Sequence, residues 1–119
     1  MTRYKDFLST YTPPPDADLE ALRALERKSI WLSTYMIHNA NNLREKRDGL
    51  KVGGHQASSS SMATILTALY WHHMLPQDRT AVKPHASPIF HSIQYLAGRQ
   101  SLDQLNRFRA FGGVQSYPS

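Results

Sequence analysis

One five-residue stretch, RTAVK (Arg79 to Lys83), is the only segment of this sequence that reads as a β-strand, and Pro84 stops it. Every other patterned segment reads as a helix. A strand alone leaves a row of backbone N–H and C=O groups without partners. Two solutions follow. Either RTAVK is a loop in an all-helical domain, or its partner strands lie beyond residue 119 and the chain is an incomplete piece of an α/β domain. The pattern by itself supports the two equally.

The helices are read from spacing. Asp16 or Asp18 can cap the first, with Glu20 in its first turn. Leu22, Leu25, Leu32, Met36, Ala40 and Leu43 then recur in threes and fours, which predicts a helix from about Ala17 to Arg47. Ile30, Trp31, Tyr35 and Ile37 widen this stripe, so the helix contacts more than one neighbour. Gly49 can end it with a left-handed cap. SMATILTALYWHHML is a second helix, with Met62, Ile65, Leu66, Leu69 and Tyr70 on one face. SPIFHSIQYLAGR is a third, capped by Ser87, with Pro88 at its first position and Gly98 closing it. SLDQLNRFRAF is a fourth, capped by Ser101 and closed by Gly112 and Gly113. The domain organisation is an extended N-terminal arm over residues 1–18, where TPPP excludes a helix, and one domain portion over 19–119.

Charge and composition narrow the function. Residues 51–119 hold six Lys/Arg and two acidic residues, Asp78 and Asp103. That balance suits a phosphate-bearing or acidic ligand. Nucleic acid is disfavoured, because no basic cluster with interleaved aromatics is present. There is no cysteine, which removes disulfides and thiolate metal sites. No run approaches the roughly 18 apolar residues of a membrane helix, and the start shows no secretory h-region. The expected location is the cytoplasm, with no membrane partner.

Six histidines are the candidate chemistry. His72 and His73 are adjacent on a helix, about 100° apart, and cannot easily share a metal. His38 lies within the long helix and suits packing, and no metal site is expected. His55 and His85 differ. Each precedes a helix and follows residues that shape the backbone: Gly53 and Gly54 before the first, Pro84 before the second. Helix starts expose N–H groups and a positive partial charge, which favours anions. Two histidines at two helix starts could face one anionic ligand. The competing reading makes both surface turn residues.

The blocks GGHQAS, then an apolar helix, then KPHASPIFHSIQYLAGRQSLDQLNRFR, then QSYPS, resemble the N-terminal part of the thiamine diphosphate enzymes of the transketolase superfamily. The decarboxylating component of homodimeric pyruvate dehydrogenase is the nearer branch. The resemblance runs from about Trp31 to Ser119. It implies an α/β fold class, with this chain an incomplete, helix-rich part of a parallel-sheet, thiamine diphosphate-binding domain. It implies that His55 and His85 are catalytic, and that Gly54, His55, Ser58 and His85 contact the cofactor. Tyr117 and His91 lie on the substrate side. The implied partners are a small keto substrate, the rest of the enzyme and a second subunit of a homodimer.

This chain departs from the family pattern in two places. Lys83 stands where the pyruvate dehydrogenase branch has glutamine, and Ser116–Tyr117–Pro118 stands where transketolases have GHP. The family's GDG motif for magnesium and diphosphate is absent. The expectation is therefore a fragment, inactive alone, of an enzyme that decarboxylates a 2-oxo acid or transfers a two-carbon ketol unit. The alternative is a small helical protein-interaction module.

Overall fold

The computed structural model describes residues 15–45 and 48–117. Residues 1–14 of the arm expected over 1–18 lie outside the described residues, as do Lys46, Arg47, Pro118 and Ser119; residues 16–18 belong to the first helix, not to an extended arm.

The first helix, α1, spans Asp16–His38. Pro15 holds the cap position, which corrects the expectation of an aspartate cap. Asp16 and Asp18 instead place negative charge in the first turn, where the helix dipole favours it. The α-helix also ends earlier than its apolar spacing predicts. Asn39–Leu43 form one π turn, closed by the Arg44 N–H on the Asn39 carbonyl at 2.8 Å. The cause is chemical: asparagine side chains compete for backbone groups. Asn41 Nδ2 donates to the Ile37 carbonyl at 2.8 Å. Gly49 is left-handed, as expected (φ +70°), but it lies in the loop beyond and caps no helix.

The second predicted helix divides. Gln56–Ser60 form α2 and Ala63–Ala68 form α3. At the junction the Met62 N–H reaches only three residues back, to Ser59, and the Ser61 hydroxyl takes the Ser58 carbonyl. A π turn, Leu69–His73, ends α3.

Residues 79–83 do not form a strand, and no strand occurs among the described residues. Of the two readings of RTAVK, the described residues show the loop. The reason is the one the sequence posed, since no second extended segment lies alongside to complete a ladder. Thr80 is tied instead by its side chain to the Tyr70 hydroxyl (2.5 Å), and Val82 packs on the core. The described part is helix-rich, and the α/β domain stays an expectation.

A 3₁₀ turn, Pro84–Ala86, leads into α4, Ser87–Leu96. Ser87 is the first residue of α4 rather than its cap, and its hydroxyl closes the 3₁₀ turn on the Pro84 carbonyl at 2.7 Å. Gly98 follows in the left-handed region. The last helix, α5, spans only Leu102–Asn106. Its capping box with Gln104 bears out Ser101 as the cap. It stops short of Phe111 because its C-terminal carbonyls have other partners. Asn39 and Arg44 take the Asn106 carbonyl, and Arg44 also takes that of Phe108.

Helix α4 lies along α1, and the buried apolar residues form two clusters. Met36, Ile37, Ala40, Leu105, Phe108 and Val114 form one. Ala63, Leu66, Ala86, Ile89 and Ile93 form the other. Ser29 and Ser33 on α1 and Ser92 on α4 are fully buried, small side chains that let helices pack closely. Of the predicted α1 stripe, Leu32, Met36 and Ala40 are buried, whereas Leu43 and Trp31 are 61% and 66% exposed. No described helix is long and apolar enough to cross a membrane.

Candidate functional site

The turn before α2 begins the site. Gly53 and Gly54 have φ of +85° and +112°, values that side-chain-bearing residues rarely adopt. A Cβ on Gly54 would also sit 3.1 Å from both γ-carbons of Ile37, so the backbone runs directly against α1. His55 follows as the N-cap residue of α2, with extended backbone. Gln56 fixes the helix start by donating to the Thr34 carbonyl of α1 at 3.1 Å.

His85 arrives from the 3₁₀ turn ahead of α4. Its ring and that of His55 lie 4.5 Å apart between centroids, inclined at 44°. The structure thus brings together the two histidines singled out by their positions before helices. Both are exposed. Ser58 is half-buried, and it shares with His85 the lining of a cavity of about 430 Å³. Met62, Ile65, Leu66, Leu69 and Val82 wall that cavity, and Lys83 stands at its edge.

Sequence reading missed the serine that holds this corner together. Ser59 is fully buried, and its hydroxyl accepts the Ile89 N–H at 3.2 Å. That N–H belongs to the first turn of α4, where donors lack helical partners. One hydroxyl therefore locks α2 to α4 and sets His55 beside His85. A run of four serines hides it, because only tertiary position separates Ser59 from its neighbours. Ser59→Ala leaves the Ile89 donor buried and unpaired, which is expected to cost about 1–3 kcal/mol in a denaturant melt.

Tyr117 and His91 occupy a different place. Both line a cavity of about 330 Å³ that shares no lining residue with the first. Tyr117 is 80% exposed. His91 is buried: its Nε2 donates to the Gln115 carbonyl at 2.6 Å, and its Nδ1 accepts from the Gln100 amide at 3.1 Å. Burial pushes its pKa below the ordinary 6.5, and the bond to Gln115 opposes that only in part. The unfolded chain therefore binds a proton that the folded chain resists. Stability at this position is complete above about pH 6.5 and falls as pH drops through the lowered folded-state value. Thermal melts between pH 7 and pH 5 are expected to show this loss, and His91→Gln to flatten it.

Another cavity, of about 540 Å³, lies by Tyr70, Asp78, Arg79, Phe90 and Arg99, and contains neither histidine of the pair. His38, expected to be packed, is exposed and bonded to Asn42. Among the described residues, no three His, Asp or Glu side chains come together as metal ligands.

Several curated relatives share sequence with this chain, and three represent them. One from Mycolicibacterium smegmatis is 34% identical over 117 residues, covering 88% of this chain and 12% of the relative. One from Mycobacterium tuberculosis is 32% identical with the same coverage. One from Escherichia coli K12 is 33% identical over 85 residues, 64% of this chain and 10% of the relative. All three bear one name. The similarity is to the pyruvate dehydrogenase E1 component. It supports that family over the general superfamily resemblance. The chain spans about one eighth of the length of the first two E1 components. No family model and no solved structure matches the chain.

Proposed function

We propose that this chain supplies the histidine-bearing wall of a thiamine diphosphate site in an enzyme acting on a 2-oxo acid, pyruvate by the name of its relatives. The observation that carries the reading is the contact of His55 with His85, two rings from turns thirty residues apart. The residues fit the ring portion of the cofactor. The cavity beside them is mostly apolar, with Ser58, His85 and Lys83 as polar groups at its rim. The described residues offer no cluster for magnesium, whose ligands belong to the rest of the enzyme.

When bound, thiamine diphosphate supplies the carbon nucleophile for the substrate carbonyl. This chain's part is orientation and proton movement. The two imidazoles present four ring nitrogens, each a donor or acceptor according to tautomer. In contact, they can pass a proton to or from an oxygen placed between them. Gly54 brings the backbone close, Ser58 offers a hydroxyl, and Lys83 sets a cation where the carboxylate of a 2-oxo acid can approach. Tyr117 then belongs to the substrate side, with His91, both of whose ring nitrogens are bonded, behind it as the support of the Gln115 segment, and further parts of the enzyme and a second subunit join this side to the wall. Ketol transfer remains the related chemistry that the same wall can serve.

Titration of the chain with thiamine diphosphate and magnesium tests this. The expected result is weak, millimolar binding, with NMR shifts confined to His55, Ser58, His85 and the lining of their cavity. Micromolar affinity by calorimetry would sink the view that this wall is only part of the site. Saturation without shifts at these residues would sink their assignment. A second reading, a helical interaction module, draws on the exposed Trp31, stacked on Tyr35 at 5.7 Å. Cofactor-independent self-association that is abolished by Trp31→Glu would favour it.

A further inference from the structure

We infer that Arg109 is a positioning residue that aims His55 by clamping the turn before it, an inference that rests on the function proposed above. Arg109 is the only described non-glycine residue with positive φ, at +61°. Such outliers persist where surrounding contacts over-determine them, and they gather at functional sites. Here the contacts are visible. The Arg109 N–H donates to the Val114 carbonyl at 2.8 Å. Its guanidinium carbon lies 5.5 Å from the Phe108 ring centroid, a cation–π arrangement. Its Nε donates to the Ser116 hydroxyl, and its Nη1 donates to the Val52 carbonyl.

The Val52 contact faces the histidine turn. A Cβ on Gly53 would fall 2.6 Å from Arg109 Nη1 and 3.9 Å from its Cζ, so the guanidinium points its Nη1 end-on at that glycine. Asn41 holds the same glycine by both polar groups: its Nδ2 donates to the Gly53 carbonyl at 2.8 Å, and its Oδ1 accepts the Gly53 N–H at 3.0 Å. With Arg109 and Asn41 both on the turn, Gly54 and His55 have a fixed point of departure. The second arm of the guanidinium reaches Ser116, next to Tyr117. One side chain therefore ties the His55 turn to the segment carrying the other candidate residue. A lysine in its place has one nitrogen and cannot serve both anchors in the fixed planar geometry of a guanidinium.

Arg109→Gly separates the clamp from the backbone. Glycine accepts the left-handed conformation without strain, so the turn at 109 is retained while both side-chain anchors are lost. The readouts are the cross-peak between the His55 and His85 rings in a nuclear Overhauser spectrum and hydrogen exchange at the Gly53 N–H. The expected result for both Arg109→Gly and Arg109→Lys is a weakened cross-peak and about tenfold faster exchange, with helical circular dichroism kept. An unchanged cross-peak in Arg109→Gly would overturn the inference, leaving Arg109 a turn residue alone. Should that variant not fold, Ser116→Ala, which removes one anchor, carries the test: faster exchange at Gly53 supports the clamp and unchanged exchange overturns it. Both readouts are independent of the cofactor. Loosening of the rings without any thiamine diphosphate shift sinks the proposed function and keeps the clamp. Cofactor shifts of equal size in wild type and Arg109→Gly do the reverse.

Discussion

Phe108→Ala is expected to cost about 3–5 kcal/mol, the range for emptying the space of a buried aromatic ring. Phe108 is 1% exposed and, among the described residues, is the largest of the fully buried side chains. It joins α5 to α1 through Met36, Ile37 and Ala40. Its carbonyl also anchors Arg44, and its ring carries the Arg109 guanidinium, so collapse around the cavity disturbs both. A loss this large is comparable to the whole stability of many small domains. Urea denaturation followed by circular dichroism measures it, and a change below about 1 kcal/mol would show that this cluster is not the core.

Gly53→Val is the second large effect. A β-branched residue at φ +85° carries roughly 1–2 kcal/mol of backbone strain. Its Cβ also collides with Arg109 Nη1, which displaces a charged hydrogen bond to the Val52 carbonyl worth about 1.5 kcal/mol or more. The total expected is about 3 kcal/mol. Gly49→Val is the control. It has a similar φ of +70° but open space around it, so it should show the strain without the collision. Equal melts for the two variants would show that the contact with Arg109 contributes nothing.

The histidine corner was partly legible before any coordinates. Paired glycines before His55 and a proline before His85 mark turns, and turns before helices place side chains at helix starts. That they meet was not legible, because no pattern of spacing relates two turns thirty residues apart. Ser59 and Arg109 left weaker signals. A serine within a serine run and an arginine in a charged helix end look like solvated residues until their partners, Ile89, Val52 and Ser116, are known. RTAVK shows the reverse case. Its composition was that of a strand, but strand formation is a property of a pair, and none of the described residues pairs with it.

The sequence by itself determined where helices occur, though not where each ends, and the two histidine turns, because these depend on contacts within a few residues. Tertiary structure alone decided which of four serines is buried and that one guanidinium holds the His55 turn. Those outcomes depend on which distant donor meets which acceptor. Burial makes such pairings obligatory, and only the folded chain shows which of them are made.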